Sequence, residues 1–347
     1  MSIPAGGRRA ADHRARELRE PLREPQREPL SEPLSEPLDE PLRVADGVWA
    51  VPVPLRGSPL RSVTVFLVET SDGLVLIDAG YDHPACWDAF TRGLAETGHA
   101  LDAVRLVLLT HNHPDHVGFA GRVRDLTGAR VVMGRDDDFE HQRRVRGGGF
   151  LVQLRATLDR TGAPPDVIEK MYTGALGIAE HAEDLRLDLA PERDSEHVLG
   201  DVTIRGLHAP GHTHGHTVYV DDARGVVFTG DTLMAEGPTQ LAVPSLPGDD
   251  PAGDLLTSLD RLRDLGAGLA CPAHGRPYRD VARRAEELKA FHLAELDTVA
   301  RLLPDRGTAW EIAPFLTRGK PWTELGTGGK RFALIHTLSL ILGVVAR

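Results

Sequence analysis

Three imidazoles and a carboxylate fall within His111-Asn112-His113-Pro114-Asp115-His116, directly after an apolar run at residues 105–110. Alternate residues of an extended chain project to one side, so His111 and His113 can converge on one cation while Asp115 and His116 turn toward a neighbouring position. Imidazole and carboxylate suit Zn2+ or a similar divalent ion. Asp115 also fits the N-cap of a following helix, a role compatible with ligation.

Three later loops add donors at the ends of β-like runs: Pro210-Gly211-His212 after residues 202–208, Gly230-Asp231-Thr232 after 225–229, and Pro272-Ala273-His274-Gly275 after 269–271. Taken singly, Asp231 is a turn residue and His274 a hydrogen-bonded surface histidine. Four such loops in order point to a shared metal site.

The elements that must position these loops follow from hydropathic period. Short β-rich runs at 48–53, 62–69 and 73–77 precede the strand at 105–110, a helix starting near residue 116, and a strand at 130–133. Over 136–183 the period turns helical, with Leu151, Leu154 and Leu158 on one face and Ile168, Met171, Tyr172 and Leu176 on another, divided by Pro164 and Pro165. Strands return at 202–208, 217–221, 225–229 and 269–271, with helices at about 255–265 and 281–303. Thr308 and Glu311 form a capping-box pattern ahead of a final amphipathic helix through Leu334, Ile335, Leu338 and Ile341. Two strand blocks, each closed by helices, predict a two-sheet α/β sandwich.

The 347 residues carry a net charge of −11, which opposes a dedicated nucleic-acid binder. Cys86 and Cys271 cannot form a disulfide framework, and they fit a reducing compartment. No run approaches the roughly 20 apolar residues of a membrane span. Arg8, Arg9 and Arg14 lead into prolines rather than an apolar stretch, so a secretory signal is not expected and the cytoplasm is. Residues 19–42 repeat a Glu-Pro unit that forbids a helix and disrupts a sheet, and residues 1–43 are expected to form a disordered tail.

The H-x-H-x-D-H run, the Pro-Gly-His, Gly-Asp-Thr and Ala-His-Gly loops, and Ile77-Asp78-Ala79-Gly80 together resemble the metallo-β-lactamase superfamily over residues 44–303. The resemblance implies an αββα sandwich with His111, His113 and His212 on one metal, Asp115, His116 and His274 on a second, and Asp231 bridging. Two divalent ions, Zn2+ first among them, are the implied cofactors. Asp78 would orient a ligand or a loop.

Residues 210–217 contain three histidines. His212 is the implied ligand because it follows the tight turn, His216 is expected to hydrogen-bond nearby, and His214, where the resembled motif often carries proline, to face the pocket. The helical stretch 136–183 is expected either to wall the substrate pocket, with Met171 and Tyr172 as candidates, or to serve packing. Residues 304–347 resemble the small winged-helix appendage of β-lactamase-like RNA-cleaving proteins and polyketide thioesterases. Their basic residues include Arg306, Arg318, Lys320, Lys330 and Arg331.

Two such ions about 3.5–4 Å apart share a water whose pKa falls near neutrality, so hydroxide is available without a side-chain base. Asp115 and Asp231 would be the carboxylates of that centre. The expected activity is hydrolysis of a small-molecule or carrier-bound ester or thioester, with nucleic acid and membrane not expected as partners. The alternatives are an RNA or DNA phosphodiesterase and a non-catalytic metal-binding interaction protein.

Overall fold

The computed structural model describes residues 38–55, 58, 60–145, 149–176, 185–316 and 320–347. The Glu-Pro repeat up to residue 37, and most of the expected tail with it, lies outside the described residues.

Strand β3 (Ser62–Thr70) is buried on both faces: Val63, Val65 and Leu67 enter one apolar layer, Phe66 and Val68 another. It therefore sits inside a sheet covered on both sides. Its sheet runs β1 (Leu42–Ala45), β2 (Val48–Pro54), β3, β4 (Gly73–Ile77), β5 (Val104–Leu108), β6 (Arg130–Val132) in spatial order. Pairing is antiparallel up to β4 and parallel from β4 through β6. Parallel pairing needs crossovers, supplied by helix Pro84–Glu96 and by helices Pro114–Val117 and Ala120–Thr127.

The second sheet contains β7 (Ser195–Leu199), β8 (Val202–His208), β9 (Thr217–Asp221), β10 (Val226–Gly230) and β11 (Leu269–Pro272), ordered β11-β10-β9-β8-β7. Only β10 and β11 run parallel, and helix Pro251–Arg263 makes that crossover. Phe66, Ile77 and Leu108 meet Ile204, Tyr219 and Phe228 between the sheets. Outside the first sheet pack Trp87, Phe90 and Phe119; outside the second, Leu255 and Leu259 with Leu288 of helix Val281–Arg306. The layers are thus helix, sheet, sheet, helix, as expected.

Several boundaries differ from the sequence reading. The fold reaches further toward the N-terminus than residue 44: β1 begins at Leu42, and Leu38 is buried in the layer between the sheets. The expected boundary at 303 falls inside helix Val281–Arg306. Residues 309–345 form helix Ala309–Ile312, two 3-10 turns and helix Thr327–Val345, with no β-strand element among the described residues. The expected helical C-terminal segment is present and packs on the rest of the fold: Leu340 joins Leu255 and Leu296 in one cluster while Leu334, Ile335 and Leu338 pack on Leu154, Leu158 and Ile168 of the helical insertion.

Among the described residues, helix Thr327–Val345 is long and apolar enough to cross a membrane by length and composition alone. About half of it is buried inside the fold. The insertion itself comprises helices Arg135–Val145, Gly149–Asp159 and Pro165–Thr173.

Candidate metal centre

Loops following β4, β5, β8, β10 and β11 bring Asp78, the His111–His116 run, His212, Asp231 and His274 together. Two glycines allow the close approach. Gly211 has φ +133, and a Cβ there would lie 2.6 Å from Leu255 Cα; Gly230 has φ +52, and a Cβ would lie 2.6 Å from His216 Nε2. The Pro-Gly-His and Gly-Asp-Thr motifs are therefore set by backbone geometry as well as by ligand chemistry.

The donors form two groups, His111, His113, His212 and Asp231 in one, Asp115, His116 and His274 in the other, with donor atoms in each within 4.8 Å of one another. His113 Nδ1 lies 3.0 Å from His111 Nε2 and 3.1 Å from His212 Nε2. Asp231 faces both groups. Its Oδ2 is 3.5 Å from His212 Nε2, while its Oδ1 is 3.6 Å from His116 Nε2 and 3.4 Å from His274 Nε2. Asp115 completes the second group, 3.5 Å from His274 Nε2.

The outer ring nitrogens fix the tautomers. His212 Nδ1 donates to the Gln240 carbonyl at 2.8 Å, His274 Nδ1 to the Ser62 carbonyl at 2.7 Å, and His116 Nδ1 to Asp78 Oδ2 at 2.8 Å. Carbonyls and carboxylates only accept, so in the neutral form of each ring the lone pair sits on Nε2 and faces inward. His111 Nδ1 meets Thr110 Oγ1 at 3.0 Å, and that hydroxyl is itself engaged by Asp78. Buried His116 Nε2, His274 Nε2 and Asp231 Oδ1 have no hydrogen-bond partner. With these rings neutral, lone pairs and carboxylate oxygens converge on common points, an arrangement that fits divalent cations.

Electrostatics agree. Burial, followed by the neighbouring imidazoles His116 and His113, holds His111 well below the usual histidine range, and burial lowers His212. Burial alone would lower His116, but Asp78, Asp231 and Asp115 outweigh it and raise the ring to about 10. The field here draws in positive charge.

His216 lies beside the centre rather than in it: its Nε2 accepts the Asp231 N–H at 3.2 Å and its Nδ1 donates to Thr232 Oγ1 at 3.0 Å. His214 turns away from both groups, its Nε2 donating to the Val243 carbonyl at 3.1 Å. It does line a cavity of about 80 Å³ that also touches His113, His212, Glu140, Gln153 and Leu154. Met171 and Tyr172, the other expected pocket candidates, do not line that cavity. Met171 is buried in the cluster shared by the insertion and helix Thr327–Val345, and Tyr172 packs against it.

Asp137 was not read from the sequence as part of the site. It accepts from Asn112 N at 3.0 Å, Thr213 Oγ1 at 2.7 Å and Gly215 N at 2.7 Å, so one carboxylate ties the two main ligand loops together. Burial pushes its pKa up to about 6 despite these donors. The signal was the run Asp136-Asp137-Asp138 opening a helix, which does not reveal which member faces inward.

Residues 58–274 match the metallo-beta-lactamase superfamily, and the chain belongs to it. A metallo-beta-lactamase family protein from Thermus thermophilus superposes with a TM-score of 0.72 at 31% identity, covering 86% of this chain and 93% of that one. Among curated relatives, an atrochrysone carboxyl ACP thioesterase of Aspergillus terreus is 24% identical over 66% of this chain and 54% of its own length. A hydroxyacylglutathione hydrolase of Pseudomonas putida is 34% identical over 38% of this chain and 34% of its own. The chain spans between about a third and little more than half of the length of the fungal relatives it matches.

Proposed function

We propose that the chain is a dinuclear metal-dependent hydrolase of thioesters or esters, carried on small molecules or on a carrier, and that it works in the cytoplasm. The observation that carries this reading is the division of Asp231 between two ligand groups, one carboxylate oxygen toward each. Mixed imidazole and carboxylate donors suit Zn2+. When bound, a pair of such ions supplies polarisation of the scissile carbonyl and a water acidic enough to ionise near neutral pH.

The chain's own residues prepare that chemistry. Asp78, Ser62 and Gln240 hold three imidazoles in the ligating tautomer, and Asp137 fixes the distance between the two main loops. The cavity beside His113 and His212, walled by Glu140, Gln153 and Leu154 of the insertion, is suited to part of the acyl or leaving group.

The thioester choice draws on the names of the relatives and on charge. Outside residues 1–43 there are 32 basic against 42 acidic residues, a poor match to a phosphate backbone. Three C-terminal cations are engaged in packing: Arg331 donates to the Met171 carbonyl, Arg306 lies 4.0 Å over the Phe315 ring and Lys330 lies 5.3 Å from that of Trp322. Zinc-loaded protein should turn over glutathione or carrier thioesters at a rate that changes little with salt. Inertness toward thioesters with salt-sensitive cleavage of single-stranded RNA would replace this reading with the phosphodiesterase.

A further inference from the structure

Away from the metal centre, His292, Glu295 and His336 form a third buried cluster, each at most 1% exposed. Glu295 Oε2 lies 3.1 Å from His292 Nδ1 and 3.2 Å from His336 Nε2. This spacing resembles a metal site, but the tautomer argues otherwise. The Leu241 N–H points at His336 Nδ1 at 3.1 Å and can only donate, so Nδ1 carries the lone pair and Nε2 the proton. A metal on Nε2 would move that proton into the path of the Leu241 N–H. The cluster is a hydrogen-bonded support.

What it supports is a strap at residues 240–242 lying directly behind the metal centre. The Gln240 carbonyl accepts from His212 Nδ1, and Ala242 N donates to the Gly211 carbonyl at 2.8 Å. From the other side, His336 accepts from Leu241 N, and Ser339 Oγ donates to the Ala242 carbonyl at 2.9 Å. His336 and Ser339 are adjacent along one face of helix Thr327–Val345, so that helix grips the strap at two points. Glu295, on helix Val281–Arg306, holds the His336 ring in place.

We propose that His336 is a positioning residue for His212. By fixing the Gln240–Leu241 peptide it sets the ring plane and tautomer of that imidazole, and Ser339 and Glu295 anchor the same arrangement. The inference rests on the reading of His212 as a metal ligand. It gives the last helix a role in the chemistry without contact with substrate.

The test is metal affinity by chelator competition, with the visible spectrum of the Co2+-substituted protein as a second readout. His336→Leu should weaken one of two bound metals by about tenfold and leave the other unchanged, as is usual when the partner behind a ligating histidine is lost. It should also alter the cobalt bands. His336→Asn keeps an acceptor near the Nδ1 position and should restore most of the affinity. If His336→Leu does not fold, Ser339→Ala carries the test, with the same selective weakening expected. Wild-type affinities and spectra in the folded variant overturn the proposal, as does equal weakening of both metals that His336→Asn fails to restore. Wild-type protein that never binds two metals fails the metal reading itself, whereas two metals with unaffected variants fail only this inference.

Discussion

Asp78 receives the Nδ1–H of His116 at 2.8 Å from a backbone at φ +64, a left-handed conformation unusual for a residue with a side chain. The same carboxylate accepts from Thr110 N at 2.7 Å and from the Thr110 hydroxyl. One residue with a left-handed backbone thus fixes both the tautomer of neutral His116 and the loop that carries His111.

Asp78→Asn keeps the shape but replaces one acceptor oxygen with a donor. Affinity for one metal should fall by about 10–100-fold, with the loss at the group containing His116. Chelator competition on the folded variant checks this, and unchanged affinity would remove Asp78 from the account.

The cavity assigns different roles to two parts of the insertion. The Gln153 amide lines it, and its buried Oε1 has no hydrogen-bond partner. Gln153→Leu should raise KM with metal content unchanged, whereas Met171→Ala should lower thermal stability by about 2–5 kcal/mol, the usual cost of a core methionine cavity, without a selective KM effect. Steady-state kinetics beside melting curves would show either pattern, and the reverse pattern would place Met171 on the substrate wall.

Truncation locates the start of the fold. Leu38 is 6% exposed, and Leu42 and Arg43 pair with Ala50 and Trp49. Removing residues 1–43 should cost about 2–3 kcal/mol more than removing residues 1–37, mostly from lost burial of Leu38. Equal melting temperatures for the two truncations would return the boundary to residue 44.

His197 offers a pH signature remote from the metals. Burial, with a smaller effect from Arg130, lowers its pKa from 6.5 to about 4, and its Nε2 lies 2.9 Å from Ser195 Oγ. As pH falls from 6.5 to about 4 the unfolded chain takes up a proton that the folded chain refuses, so stability drops across that window. His197→Gln should lose less stability between neutral pH and about pH 5 than the wild type does. Parallel pH curves for the two proteins would show that His197 does not titrate this way.

The candidate metal ligands were legible in the sequence because ligation demands particular residue types and the strands fix where they fall. His111, His113, Asp115, His116, His212, Asp231 and His274 all meet in the structure. The supports were less legible. Asp137 was one of three consecutive aspartates, and His336 sits in an apolar helix whose pattern announces packing alone. Strand β7 reads Ser-Glu-His-Val-Leu, too polar to stand out, and helix Pro84–Glu96 passed unread although His83 and Pro84 open it. The burial of Met171 against helix Thr327–Val345 was not legible either, because it depends on contacts far apart in the chain.

The central claim is that Asp231 joins two metal sites, and metal content tests it most directly. Elemental analysis of zinc-loaded, gel-filtered protein should give two zinc ions per chain for the wild type and one or fewer for Asp231→Ala, since each ligand group loses a carboxylate oxygen. A wild-type content of one or fewer, or an Asp231→Ala variant that keeps both ions, would contradict the account.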